Sequence, residues 1–323
     1  MNEGMYNTFT NEPTPAALLG NAPLRVIKRL FWATRPMFFP ASFLPVLLGT
    51  SWGYRTAGEL DLSAFVLALA AVMCVHAGAN VLNDVCDELG GVDRGNDERI
   101  FPYTGGSRFI QNGIMSAREM GLWGLALLAL GAIFGGLLIG QKGGGVLLFG
   151  LAGMALGVWY SLPPVQLSYR GLGELAVGIG FGILPVMGAA WLQSSELTLE
   201  ALVVSLPITF WVIAILLINE VPDSRADGAV DRRTLVVRLG VKNTRRIYIL
   251  LNGLALVAVI GAVAMGILPA PAAAVPALLM LVAAYAARGI GVASPPLKRS
   301  IEFTLMIHVL GGLWMSGWIL APM

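Results

Sequence analysis

At 323 residues, 56% hydrophobic and 12% charged, the chain is not a soluble globular protein, a class in which charged residues make up about 25%. A formal net charge of +2 gives no basic surplus, so no nucleic-acid partner is expected. The two cysteines, Cys74 and Cys86, lack metal-ligand spacing, so neither a disulfide framework nor a zinc site is expected.

Residues 1–33 read as a polar tail with a basic flank (Arg25, Lys28, Arg29) and no cleavable signal. Apolar runs of membrane-spanning length then recur to the end. Spans are predicted at about 37–55, 62–83, 120–140, 144–161, 172–193, 199–219, 247–267, 271–288 and 302–320. Nine spans put the termini on opposite sides. With the N-terminus in the cytoplasm, all of the 21 Lys+Arg except Arg55 and Lys142 fall on the cytoplasmic side. A wrong helix count would destroy that asymmetry, so the positive-inside pattern supports both count and orientation. The expected fold is an all-α polytopic bundle in the cytoplasmic (inner) membrane, with its site facing the cytoplasm. Residues 34–323 read as one domain, with repeat halves at about 34–161 and 172–288 and a last helix at 302–320.

The second span ends in Asn80-Val-Leu-Asn83-Asp84-Val-Cys-Asp87, and the sixth in Asn219-Glu220-Val-Pro-Asp223-Ser-Arg-Ala-Asp227. Residues 80, 84 and 87 share a helical face. Residues 219, 223 and 227 nearly do, although Pro222 is expected to disturb the helix there. Each segment continues through long polar loops, about 84–119 and about 220–246, into a basic stretch that closes on Gly113 or Gly240. The two segments read as an internal repeat, hence as two half-sites that face each other.

Clustered carboxylates at a membrane boundary repel one another and resist desolvation. A divalent cation resolves both problems. Mg²⁺ takes a few carboxylates and completes its shell with water and substrate phosphates. Arg94, Arg99, Arg108, Arg232 and Arg233 would pair with phosphate oxygens in fork geometry. The pattern points to a diphosphate held by two Mg²⁺ ions, with a long hydrocarbon at its other end.

These motifs resemble the UbiA superfamily of membrane prenyltransferases over about 34–320. Arg35-Pro36, Leu44-Pro45-Val46-Leu47-Leu48-Gly49, Asn83-Asp84 with Asp87 and Asp93, Tyr160-Ser161-Leu-Pro163-Pro164, Arg170-Gly171-Leu-Gly173-Glu174 and Arg233-Thr-Leu-Val-Val-Arg-Leu-Gly240 carry the likeness, with the first motif resembling the menaquinone-pathway branch. The resemblance implies nine helices around a central cavity open to lipid, a polyprenyl diphosphate donor and an aromatic acceptor. It implies that Asp84, Asp87, Asp223 and Asp227 hold Mg²⁺ and that Asn80 and Asn219 support metal or diphosphate. Tyr160 and Arg170 would sit near the diphosphate or the developing cation, Arg170 standing in for the lysine that many members carry at Ser168. The implied acceptor is 1,4-dihydroxy-2-naphthoate; 4-hydroxybenzoate, homogentisate, a porphyrin or a lipid are the alternatives. Trp159, Trp191 and Trp211 are candidate cavity walls, although ordinary packing or an interface anchor is the favoured reading of each. A cation-coupled transporter is the rival reading from another class. Against it, transporters place their ion sites near the bilayer midplane, whereas these carboxylates lie at helix ends beside arginines.

Overall fold

The structure, a computed structural model, describes residues 12–321; residues 1–11 of the expected polar N-terminal tail therefore lie outside the described residues. The described regular structure is almost entirely helical. Helix α1 (Pro23–Ala33) is amphipathic. It is followed by α2 (Pro40–Ala57), α3 (Leu62–Leu89), α4 (Ala117–Lys142), α5 (Val146–Ser161) and α6 (Gly173–Ser194). The chain then forms α7 (Leu199–Ala229), α8 (Leu235–Ala264), α9 (Ala270–Gly289) and α10 (Pro296–Leu320).

Seven of these, α3, α4 and α6 through α10, are long and apolar enough to cross a bilayer. The other two expected spans correspond to α2 and α5. Helix α5 is short, and α2 dilutes its apolar run with Ser42, Pro45, Thr50, Ser51 and Arg55. These polar groups are tolerated because that helix is largely enclosed: Leu44, Leu48, Ser42, Thr50 and Ser51 are all buried.

Helix α3 lies along α4, α7 lies along α8, and α2 packs on the second half of α6 and on α10. Glycines set the closest approaches. A Cβ at Gly49 would stand 2.2 Å from the Val186 carbonyl oxygen, and one at Gly182 would stand 2.1 Å from Thr209 Oγ1. Both positions let helices approach to backbone contact. Helix α6 contains a wide π-turn over Ile179–Ile183, a feature frequent at functional sites; it carries Phe181.

Three expectations about local structure are corrected. Pro222 does not end its helix: α7 runs through it to Ala229. A proline removes one intrahelical donor, and burial on a packed helix holds the remainder in register. The expected loop at about 220–246 is therefore mostly helix. Only 230–234 connects α7 to α8, and α8 is broken at Gly240, where φ is 73°. Likewise α3 continues six residues past its expected end, so Asp84 and Asp87 both stand on helix.

The long connection from Gly90 to Ser116 folds back over the ends of α3 and α7. Phe109, Ile114 and Met115 anchor it in a cluster with Leu18, Ala33, Val81 and Met120. Each large apolar anchor contributes roughly 1.5–3 kcal/mol. Helix α4 then starts at a capping box in which the Ser116 and Glu119 side chains each bond the other's backbone.

Candidate active site

A cavity of about 540 Å³ lies among α2 through α7. Its lining on α3 runs from Ala68 to Asp87, roughly 28 Å at about 1.5 Å per residue, close to the thickness of a bilayer core. Most of the wall is apolar, with Val72, Leu138, Ile139, Phe149, Leu184 and Leu192 toward the end away from the motifs. The motif end is densely polar. Asp87, Asp93, Glu220, Asp223 and Asp227 line it, against only two guanidinium groups, Arg35 and Arg232. Negative charge is in excess there.

Helices α3 and α7 bring the two motifs to this end, and the 90–116 loop ties them together. Asn96 Nδ2 donates to Asp223 Oδ1 at 2.7 Å, and the Gly105 N–H donates to Asp223 Oδ2 at 3.3 Å. The Ser107 N–H donates to Asp84 Oδ2 at 2.9 Å. Arg232 spans the two halves: its Nη1 is 3.0 Å from Asp87 Oδ2 and 3.6 Å from Asp227 Oδ1. Its guanidinium also stacks over the Tyr169 ring at 5.2 Å. Burial works against the charge of Arg232, but Asp87 and Asp227 outweigh it and hold the guanidinium protonated.

Several oxygens remain unspent. Asp84 Oδ1, Asp87 Oδ1, Asp227 Oδ1 and Asn219 Oδ1 are buried without a hydrogen-bond donor. A buried carboxylate without partners is costly. Crowding among carboxyls adds to that cost: burial first, then the fields of Asp87, Asp84 and Asp223, push the Asp93 carboxyl up to about 8. Burial, followed by Asp87, also raises the Tyr169 phenol to about 12. Gly106 closes the cluster with φ +74°, and a Cβ there would stand 2.9 Å from Asp93 Oδ2 and 3.0 Å from Asp84 Oδ1. Among the described residues, no three His, Cys, Asp or Glu side chains form a preformed metal cage.

Known proteins share this architecture. The model of the UbiA prenyltransferase family matches residues 42–318. The chain belongs to the UbiA prenyltransferase family. A 1,4-dihydroxy-2-naphthoate octaprenyltransferase of Escherichia coli (strain K12) is 29% identical over 312 residues, 88% of this chain and 94% of that protein. The enzyme of the same description from Bacillus subtilis (strain 168) is 29% identical over 213 residues, 66% of each chain. UbiA prenyltransferase domain-containing protein 1 of Xenopus tropicalis is 30% identical, and the match spans 68% of this chain and 62% of that one. A solved UbiA homologue from Archaeoglobus fulgidus, bound to GPP and Mg²⁺, superimposes with a TM-score of 0.62 at 17% identity, covering 89% of this chain and 99% of that one. An apo UbiA homologue from Aeropyrum pernix K1 gives 0.65 at 20% identity, covering 84% and 95%.

Within this UbiA-family chain the residues singled out in the sequence fall into three groups. Asn80, Asp87, Tyr160, Asn219, Asp223, Asp227 and Arg232 all line the cavity. Asp84 is set one layer back, 2% exposed, behind Gly106 and 3.9 Å from Arg35 Nη1. The structure does not bring the other arginines to the cavity wall. Arg94 is exposed and pairs with Glu88. Arg99 and Arg108 are drawn to Glu12 of the N-terminal segment, and Arg108 also donates to the Asp93 carbonyl oxygen. Arg170 is exposed and bonds the Pro164 carbonyl oxygen, and Arg233 is exposed and pairs with Asp231. Ser168 is buried and donates to the Tyr160 carbonyl oxygen, so that loop presents no cation.

The sequence reading passed over Arg35, Asn96 and Glu220. Arg35 stands immediately before Pro36 in a left-handed conformation, φ 58°, which turns the chain from α1 toward α2. None of Trp159, Trp191 and Trp211 lines the cavity; Phe38, Phe149 and Phe181 do. Trp211 instead packs on Gly311. His76 is on the wall, with Nδ1 2.8 Å from Ser42 Oγ and its ring between Phe39 and Phe181.

Proposed function

We propose that this protein transfers a polyprenyl group from polyprenyl diphosphate to a hydroxylated aromatic acceptor, with 1,4-dihydroxy-2-naphthoate as that acceptor. The observation that carries this reading is one continuous cavity of about bilayer length with two opposite chemistries: a carboxyl and guanidinium end, and an apolar body. A long hydrocarbon with a diphosphate head matches both. The naphthoate acceptor is supported by the named activity of the Escherichia coli and Bacillus relatives. All nine helices α2 through α10 are read as spans, with α1 and the motif end on the cytoplasmic side of the inner membrane. The basic residues of the loops support that orientation.

Mg²⁺ suits the donor set. The unspent oxygens belong to hard carboxylates, and Mg²⁺ is commonly held by one or two carboxylates plus substrate phosphates rather than by an all-protein cage. Asp84 and Asp87 would hold one ion, and Asp223 and Asp227 a second. When bound, Mg²⁺ supplies positive charge that stabilises the departing diphosphate.

The protein's own groups do the rest. Arg35 and Arg232 face the diphosphate with fixed positive charge in a site of low dielectric. Asn80 and Asn219 stand beside it, one on each half. The prenyl C–O bond breaks with both electrons leaving on diphosphate, which produces an allylic cation. Phe181 lines the cavity, where an aromatic ring would stabilise a cation, and the apolar wall keeps water from trapping it. A ring carbon of the acceptor forms the new C–C bond and then loses CO₂ or a proton.

The test uses purified protein in lipid with Mg²⁺ and labelled polyprenyl diphosphate. The acceptors are dihydroxynaphthoate, 4-hydroxybenzoate and homogentisate, with products identified by mass. A Mg²⁺-dependent prenylated naphthalenediol lacking the carboxyl group is expected. Prenylation of another acceptor instead would overturn the naphthoate assignment, and no aromatic product at all would overturn the reading.

A further inference from the structure

Glu220 has no counterpart in the other half of the molecule. Aligning Asn80 with Asn219 sets Glu220 against Val81, a fully buried apolar residue in the cluster that anchors the 90–116 loop. The aspartates are duplicated, and this carboxyl is not.

Its position along α7 is informative. Glu220 lies three residues before Asp223, so the two share a helical face. At about 1.5 Å per residue Glu220 sits roughly 4.5 Å further from the motif end. It is 7% exposed and lines the cavity. Its Oε2 is buried with no hydrogen-bond donor. The apolar body of the cavity begins beyond it, with Leu216, Ile215 and Val212 on the same helix. A group held at Glu220 therefore sits one helical turn beneath the diphosphate end, at the level of the first carbons of a prenyl tail.

The surroundings hold the side chain in place. The carboxyls of Glu220 and Glu174 are near neighbours. Glu174 is itself buried, and its Oε1 accepts the N–H of Leu235 at the start of α8. Tyr160 faces the same space from α5, its hydroxyl close to Gly173 beside Glu174. Arg232, already shared between Asp87 and Asp227, supplies the nearest positive field.

We propose that Glu220 is the docking point for the acceptor's ring hydroxyl, with Tyr160 as the facing wall. This rests on the prenyltransferase reading above and deepens it: the acceptor is a phenol or naphthol whose hydroxyl donates to Glu220. That hydrogen bond places the ring beside the prenyl carbon. It also shifts electron density from the hydroxyl oxygen into the ring carbons ortho and para to it, the atoms that attack the cation. The duplicated aspartates handle the diphosphate, and the unpaired glutamate handles the acceptor.

The experiment measures steady-state kinetics of the wild type, Glu220→Gln and Glu220→Ala in lipid. Donor and acceptor are varied separately, and the acceptor is compared with its O-methyl ethers. Glu220→Gln, nearly isosteric, guards against loss of folding, and retained Mg²⁺-dependent binding of polyprenyl diphosphate checks it. A hydrogen bond to a charged group corresponds to roughly ten- to hundred-fold in affinity. The expected result is an acceptor KM raised by that factor in Glu220→Ala, less in Glu220→Gln, with donor KM within about two-fold of wild type. The penalty for methylating one ring hydroxyl, present in wild type, should vanish in Glu220→Ala. A raised donor KM with the acceptor KM unmoved, or a methylation penalty that survives the substitution, would overturn the proposal while leaving prenyl transfer intact. Absence of any aromatic product from the wild type is the separate outcome that removes the parent reading.

Discussion

The ends of α3 and α7 carry the same letters and use them differently. Each places Asn four residues before Asp and a second Asp three or four residues, about one turn, further on. On α7, Asp223 and Asp227 both line the cavity, whereas on α3 only Asp87 does, and Asp84 stands behind Gly106. The 90–116 loop follows α3 and closes over both ends, bonding Asp84 through Ser107 and Asp223 through Asn96 and Gly105. The second half contributes Arg232 in return, which reaches back to Asp87. A duplicated motif thus yields one site rather than two, because each half completes the other.

The largest expected effect comes from removing a carboxylate on either side. Asp84→Asn and Asp223→Asn should each lower turnover on the order of 10²–10³-fold, as loss of a preorganised electrostatic group does, while the protein still inserts and folds. Turnover in lipid across a Mg²⁺ titration is the measurement. Normal turnover in Asp84→Asn alone would show that the recessed aspartate is structural and that the halves are not equivalent.

Next comes the pair of arginines. Arg232 is wedged between two buried carboxylates, whereas Arg35 lies 3.9 Å from one. Breaking a buried ion pair by deleting one partner costs about 3–5 kcal/mol. Arg232→Ala should therefore lower resistance to chemical unfolding in detergent clearly more than Arg35→Ala. Equal losses would mean that Arg232 does not bridge the halves.

Asp93 sharpens the comparison from another side, since it feels carboxylates of both halves. Its folded pKa of about 8 lies above the unfolded value of about 3.9. Between those values the folded state binds the extra proton, so its contribution to stability is full below about pH 4 and is lost as pH rises toward 8. Without divalent ions, melting temperature should fall across that window, and Asp93→Asn should flatten the fall. A profile of unchanged slope in Asp93→Asn would place the pH dependence elsewhere.

Much of this was legible in sequence because its signals are local. Span-length apolar runs and the i, i+4 spacing of Asn80 with Asp84 can be read without knowing what packs where. What escaped depends on the return path of the chain. Asn96 sits in a loop with no periodicity, and only the fold shows that it meets Asp223. Arg35 stood in plain view beside Pro36, but its left-handed turn is what brings it to the cavity. The tryptophans show the same limit: indoles suit helix packing as well as cavity walls, and while packing is the role the sequence favours for them, only the fold shows that the phenylalanines on the π-turn and at the head of α2 line the cavity instead.

The smallest expected effect separates cations that merely lie near the motifs from those that face the cavity. Arg94, Arg170 and Arg233 were read from the sequence as phosphate ligands, yet each is exposed: Arg94 pairs with Glu88, Arg170 bonds the Pro164 carbonyl oxygen, and Arg233 pairs with the exposed Asp231. Exposed ion pairs contribute little, because solvent screens them and holding two long side chains together costs entropy. Alanine at any of the three should therefore leave kcat and donor KM within about two-fold of wild type, at the level of an exposed pair. The same substitution at Arg232 removes the buried cation held between Asp87 and Asp227. Competition by inorganic diphosphate gives a second readout. Its inhibition constant should shift for Arg232→Ala and stay put for the outer three. A strong shift for Arg170→Ala or Arg233→Ala would mean that the 162–172 and 230–234 loops close inward when the diphosphate binds. The site would then contain more of the second half than the ligand-free geometry shows.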